Sequence, residues 1–285
     1  MRGIPIVIGY ALRESLRRRV FVIVLILTAA FLGLYGLGSE KAFDEVAELD
    51  TGPEIGLDER VIAGATLLGL AMFGTLFLGV VLGIFLTLSV VRGDAERGLL
   101  QPLVVRPLGR EALLAGRFIA AAGVCFAYTV GVFAATAGIT YWAGGWWPDR
   151  FWQPALGLGT AVVVVAGLSL LGSVFLSSTA NGIAVFMLFG AGLVGGLLGQ
   201  IGEGINSTTL VNVAHDVSWA LPFEALYQDA LYAISSKSFG FTRDVLQLGP
   251  FGGAQAGGDH LWLWTAVYLG IAALVAGVGF ARKDL

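Results

Sequence analysis

Residues 151 to 202 read FWQPALGLGTAVVVVAGLSLLGSVFLSSTANGIAVFMLFGAGLVGGLLGQIG, and none of these 52 positions is Asp, Glu, Lys or Arg. A hydrocarbon core about 30 Å thick takes roughly 20 apolar residues at the helical rise of about 1.5 Å each, so this stretch holds two membrane spans. Its polar, turn-forming cluster, Ser177-Ser178-Thr179-Ala180-Asn181-Gly182, predicts a tight hairpin between them.

The rest of the chain has the same character. Of its 285 residues 56% are hydrophobic and 13% charged, against roughly 25% charged in a soluble domain. The mean hydropathy is +0.82. Uncharged windows predict six spans, Val20 to Leu37, Val61 to Val91, Phe118 to Ala143, Ala155 to Leu176, Ile183 to Ile201 and Leu261 to Ala281. The second exceeds one membrane thickness and is expected to tilt or to extend past the hydrocarbon. The expected fold is all-α, an integral membrane six-helix bundle in a single transmembrane domain (1–285). An interfacial amphipathic helix is expected at 1–19, and an external segment at 203–260 carries an amphipathic helix before the last span.

Charge is sorted along the chain. Arg2, Arg13, Arg17, Arg18 and Arg19, then Arg92, Arg97, Arg106, Arg110 and Arg117, then Arg282 and Lys283 put 12 of the 17 basic residues on one side. The other side holds 15 of the 20 acidic residues, including those from Glu40 to Glu59. The excess of basic residues predicts that both termini are cytoplasmic and the protein multi-pass in the cell membrane. Arg18-Arg19-Val20-Phe21 resembles a twin-arginine export signal. Five further spans follow it, however, and arginines at a cytoplasmic mouth are what this orientation requires.

Several chemistries find little support. Cys125 is the only cysteine, and His215 and His260 are the only histidines, so neither a disulfide framework nor a metal-ligand spacing is present. No nucleic-acid partner is expected. The spans contain no central charge, only hydroxyls such as Thr75, Thr87, Thr136 and Ser169, which disfavours a proton- or sodium-driven carrier. Gly79 and Gly83, Gly192 and Gly196, and Gly195 and Gly199 each lie four apart on one helix face, as close helix packing requires. A phosphate-cradling loop would end in Gly-Lys-Ser/Thr, and none of Lys41, Lys237 and Lys283 follows a glycine. Any ATP would be hydrolysed elsewhere.

The segment 92–117 between the second and third spans places Asp94 and Glu96 ahead of Leu99, Leu100, Leu103 and Val104, and then Pro107. Two readings fit this short amphipathic element: a helix on the lipid surface, or a docking element for a cytosolic subunit. Glu96-Arg97-Gly98-Leu99-Leu100, then Arg106-Pro107-Leu108-Gly109-Arg110, then Leu113-Leu114-Ala115-Gly116-Arg117 resembles the corresponding loop of ABC type-2 permeases. The chain departs from that pattern at Leu99 (for Thr), Gly109 (for Ser) and Arg117 (for Lys). The resemblance extends to the basic N-terminal helix, the six spans, the long external segment and the tail Arg282-Lys283-Asp284-Leu285. The layout is also similar to that of the permeases of nitrous oxide reductase maturation, but the scarcity of Cys, His and Met gives copper no support.

The resemblance implies two permease subunits, this chain with a second copy or a related permease, on two cytosolic ATP-binding cassette ATPase subunits. ATP and Mg would be bound by the ATPase and no cofactor by this chain. Asp94, Glu96, Arg97, Gly98, Leu99, Leu100, Leu103, Arg106, Pro107 and Arg110 would form the ATPase-coupling element, with charged contacts from Glu96 and Arg97 and an apolar notch filled by the leucines. The N-terminal helix would be a second ATPase contact or a basic anchor. After Pro222, the residues Phe223, Leu226, Tyr227, Ala230, Leu231 and Ile234 recur at helical spacing against polar Glu224, Gln228, Asp229 and Ser235. By resemblance this helix, with Pro222, Phe223, Leu226 and Tyr227 as its external gate, caps the substrate exit; the alternative is a helix that covers the bundle. Trp146, Trp147 and Trp152 suit the headgroup region, with a substrate-binding aromatic cluster as the other reading.

The resulting expectation is the permease subunit of an ATP-driven exporter, without a catalytic site of its own. Two alternatives belong to other classes. An intramembrane serine protease would use Ser169 with His260, although Leu170 stands where a glycine is expected. A non-transporting membrane anchor for an ATPase would share every docking feature.

Overall fold

The structure is a computed structural model that describes residues 19–48, 59–88, 110–235 and 255–282, together with Gly9. The predicted N-terminal helix is otherwise outside the described residues. All regular structure among the described residues is helical: α1 (Arg19–Glu48), α2 (Glu59–Thr87), α3 (Arg110–Gly144), α4 (Trp152–Phe175), α5 (Ser178–Gly204), α6 (Thr208–Ala220), α7 (Pro222–Ser235) and α8 (Leu261–Ala281). Six of them, α1 to α5 and α8, are long and apolar enough to cross a membrane. Five of the six differ in their ends from the uncharged windows, because a helix continues past the hydrocarbon wherever its backbone has no reason to stop. Thus α1 runs on from Leu37 to Glu48, and α3 starts at Arg110, eight residues ahead of Phe118.

α4 is the axis of the bundle. It packs against α2, α3, α5, α7 and α8. Ala155, Leu158, Ala161, Val162, Val164 and Ala166 are wholly enclosed, so its residues are buried around most of the circumference. A helix without a polar face is what a central position requires. Small residues set the closest approaches. Gly79 of α2 abuts Thr129 of α3 and Val162 of α4, with 2.7 Å from the position of a Cβ to either side chain, and Gly83 one turn on meets Ala166 at 3.3 Å. This glycine pair therefore packs inside one chain.

α1 lies at the outside. It meets α2 and α3 through one stripe, Val24, Thr28, Tyr35, Ser39 and Phe43. The opposite face exposes Val22, Ile23, Ile26, Leu34 and Leu37, a lipid-facing surface in a membrane protein. Hydroxyls pin the stripe, with Tyr35 Oη and Thr140 Oγ1 at 2.6 Å and Thr28 bonded to Tyr128. Thr87 and Thr136 return their protons to carbonyls of their own helices, at 2.7 Å to Gly83 and 2.9 Å to Phe133.

The α4–α5 connection is as tight as its sequence requires, with Leu176 and Ser177 alone between the two helices. At the opposite end of α4, Trp147 stacks on Phe151 (centroids 5.2 Å, planes 20° apart) and meets Tyr141 edge-on at 6.0 Å. Trp152 remains 68% exposed there, consistent with an aromatic rim.

Candidate functional site

The end of the bundle where α2 stops and α3 starts is the end that carries the segment 92–117. Of the coupling residues expected there, Asp94, Glu96, Arg97, Gly98, Leu99, Leu100, Leu103, Arg106 and Pro107 lie outside the described residues, and Arg110 is described only as the first backbone position of α3. The two helices on either side of it in the chain, α2 and α3, pack on each other and on α4.

At the opposite end, α6 and α7 do not lie over the bundle as a cover. α6 folds back along α5, with Leu210 and Val211 against Gly202, Ala214 against Gly199 and Val217 against Gly195. The chain turns at Leu221, and α7 starts with Phe223 against Gly192 and Glu224 against Gly196. The spacing of these five glycines on α5 forms a groove. A Cβ on Gly192, Gly195 or Gly196 would collide with Phe223, Val217 or Glu224. Phe223 packs on Phe189 (centroids 5.5 Å, planes 31° apart), and Phe189 on Phe77 of α2 (6.5 Å, 44°). Phe189 is near the midpoint of α5, so the tip of the α6–α7 hairpin reaches about halfway along the spans.

The four gate residues of the sequence reading are brought together here, and all are buried. Pro222 and Phe223 form the tip, while Leu226 and Tyr227 face the protein interior, where Leu226 and Ala230 lie against Gly157 of α4. The polar positions of the same helix behave differently from a solvated face. Glu224 is 2% exposed, Asp229 8% and Gln228 9%. α7 is enclosed on both sides, by α4 and α2 on its apolar side and by α5 and residues 255–261 on its polar side. Asp229 is satisfied there, accepting from Gln153 Nε2 at 3.2 Å and from the backbone N–H of Gly257 at 3.0 Å.

Glu224 has a neutral partner, Gln228 one turn on in the same helix, which donates to its Oε1. Burial pushes the carboxyl up to about 7, against the opposing pull of the Gln228 hydrogen bond. The absence of central charges in the sequence is true of the six spans, but the hairpin inserts a carboxyl among them. No span-by-span reading registers it, since Glu224 sits in a segment too polar to be a span.

Glu224 and Gln228 line a cavity of about 370 Å³ between α5, α6, α7 and the start of α8. Its rim carries Glu203, Asp259 and His260, and its wall carries Trp219 and Trp264, whose ring centroids are 5.2 Å apart. Both indole N–H groups are used by the protein, Trp219 Nε1 donating to His215 Nε2 and Trp264 Nε1 to the Trp219 carbonyl, each at 3.0 Å. Gln255 Nε2 donates to Glu203 Oε1 at 2.6 Å. Among the described residues no Lys or Arg lines this cavity, and no group of three His, Cys, Asp or Glu side chains could hold a metal ion.

The protease pairing fails on position. Ser169 lies near the Phe175 end of α4, at the level of Asn181, whose Nδ2 donates to the Ser169 carbonyl at 2.8 Å. His260 precedes α8 at the cavity rim, beyond the other end of the bundle. Ser169 lies 17 positions along α4 from Trp152 at that end, roughly 25 Å at the helical rise. The Ser169 hydroxyl is buried without a partner among the described residues, a packing position between helices.

A family model described as ABC-2 family transporter protein matches residues 6–285. No curated protein matches the chain.

Proposed function

The chain belongs to the ABC-2 family of transporter proteins, and from that premise we propose that it is the permease subunit of an ATP-driven exporter, worked by a separate cytosolic ATPase through the segment 92–117. What supports this reading is the family together with the packing of the helices that flank the segment in the chain: α2 and α3 pack on α4, and α4 in turn packs on α7 of the hairpin. Closure of an ATPase around the segment would reach the hairpin through two layers of close-packed side chains, which transmit displacement because such interiors are nearly incompressible.

In this reading Glu96 and Arg97 make charge-assisted contacts with the ATPase, Leu99, Leu100 and Leu103 fill an apolar notch, and Asp94, Gly98, Arg106, Pro107 and Arg110 shape the turn around them. The ATPase binds ATP and Mg, since this chain has no phosphate loop. A second copy of the chain, or a related permease, completes the transporter in the cell membrane. The distribution of Arg and Lys supports cytoplasmic termini and an outward-facing α6–α7 hairpin. Pro222, Phe223, Leu226 and Tyr227 then act as the packed root of the outer gate, which opens when the hairpin shifts in the glycine groove of α5.

The test is reversal of Glu96. In proteoliposomes with the ATPase, Glu96→Lys is expected to lower ATP-dependent transport and the stimulated hydrolysis together, with insertion and folding of the permease unchanged. Undiminished transport in that variant would refute the coupling role.

A further inference from the structure

We propose that the cavity beneath the α6–α7 hairpin binds an organic ammonium group, held between the Glu224 carboxylate at its floor and the Trp219–Trp264 pair at its wall. Three independent features converge on that chemistry. The volume of about 370 Å³ is that of a small-ligand cleft, which runs from about 300 to 1,000 Å³. The charge is one-sided: Glu203, Glu224 and Asp259 line the space, and no Lys or Arg among the described residues opposes them. Glu224 is 2% exposed, and Gln228, a neutral amide on the same helix, donates to its Oε1, so no positive charge among the described residues accompanies this buried carboxyl in the cavity.

The alternatives fail on the same features. An anion would face three carboxyl groups. A neutral apolar guest would cover the Glu224 carboxyl without offering it a donor or a charge. A metal ion lacks a ligand set among the described residues. An ammonium group answers each point. It supplies the missing positive charge to Glu224, and its polarised N–H or N-methyl groups are attracted to indole faces. With their N–H groups committed to His215 and the Trp219 carbonyl, the two indoles have only ring surface left to offer. Ammonium groups reach such a site either as soluble amines or as the headgroup of an aminophospholipid, and the chemistry of recognition is shared.

The inference concerns binding to this chain alone and does not depend on the ATPase-coupled reading. The experiment is calorimetric titration of the purified full chain, in a neutral maltoside detergent, with choline and with its uncharged isostere 3,3-dimethylbutanol. Saturable choline binding is expected, with the isostere at least about tenfold weaker. Glu224→Gln and Trp264→Leu should each weaken choline binding about tenfold or more. Trp264→Phe should retain it within a few-fold, and Trp142→Leu, at a 77% exposed position on α3, should leave it unchanged. Equal binding of the isostere, unaltered affinity in Glu224→Gln, or the absence of saturable binding would overturn the assignment. Short-chain phosphatidylethanolamine distinguishes the two sources. If it displaces choline and phosphatidylglycerol does not, the occupant is a lipid headgroup; if neither does, it is a soluble amine.

Discussion

At the scale of single residues, Glu224 is where the chain departs furthest from what its sequence conveys. A glutamate at an i, i+4 spacing from Gln228 on an amphipathic helix reads as part of a solvated face, and the residue is instead 2% exposed. Helical periodicity identifies faces but carries no information on how many of them are covered. The burial has a thermodynamic signature. The ordinary carboxyl value of 4.5 is raised to about 7 in the folded chain, so between these limits the folded state binds more protons than the unfolded state. Stability contributed by the protonated group is complete below about 4.5 and is lost as the pH rises through about 7. Thermal unfolding in detergent should therefore show Tm falling over that interval in the wild type, with the slope reduced in Glu224→Gln; identical profiles would contradict the burial. Gly196 is the complementary case, since its missing Cβ makes room for the Glu224 carboxylate. Gly196→Val is expected to destabilise the protein by about 1–3 kcal/mol, the usual cost of overpacking, measurable as a lowered midpoint in the same unfolding assay.

At the scale of elements, the six spans were legible because lipid imposes a length and a polarity that few other structures satisfy. The turn at Ser177 was legible for the opposite reason, as a polar cluster in the middle of 52 uncharged positions marks a break between spans, although Ser178 to Gly182 fold into the first turns of α5. The apolar stripe of α7 was also visible. Its depth was not, because depth depends on α6 returning along α5, and that path is set by glycines whose spacing equally serves helix pairs between subunits. The tip of the hairpin is closely packed, with Phe223 fully enclosed against Gly192 and Phe189. Phe223→Ala should cost about 3–5 kcal/mol by leaving a cavity there. Limited proteolysis should cleave the α6–α7 region of that variant faster than the wild type, while the six spans stay protected; equal cleavage rates would argue against the tip as the anchor.

At the scale of the whole molecule, one helix links the two ends of the bundle. α4 packs on α2 and α3, which flank residues 89–109 in the chain, and on α7 of the hairpin. The orientation of these ends follows from charge sorting and has a direct check, helped by the enclosure of Cys125 at 0% exposure. A membrane-impermeant maleimide on intact cells should label Arg150→Cys and spare both Ser177→Cys and the native thiol. Labelling of Ser177→Cys in place of Arg150→Cys would invert the topology. The central claim, that this chain is driven by a partner ATPase, is tested most directly by affinity purification in mild detergent with assay of ATP hydrolysis. The account predicts a cytosolic ATP-binding cassette subunit at one copy per permease, with hydrolysis that is lost from the preparation on Glu96→Lys. Recovery of the chain without an ATPase under those conditions would contradict it.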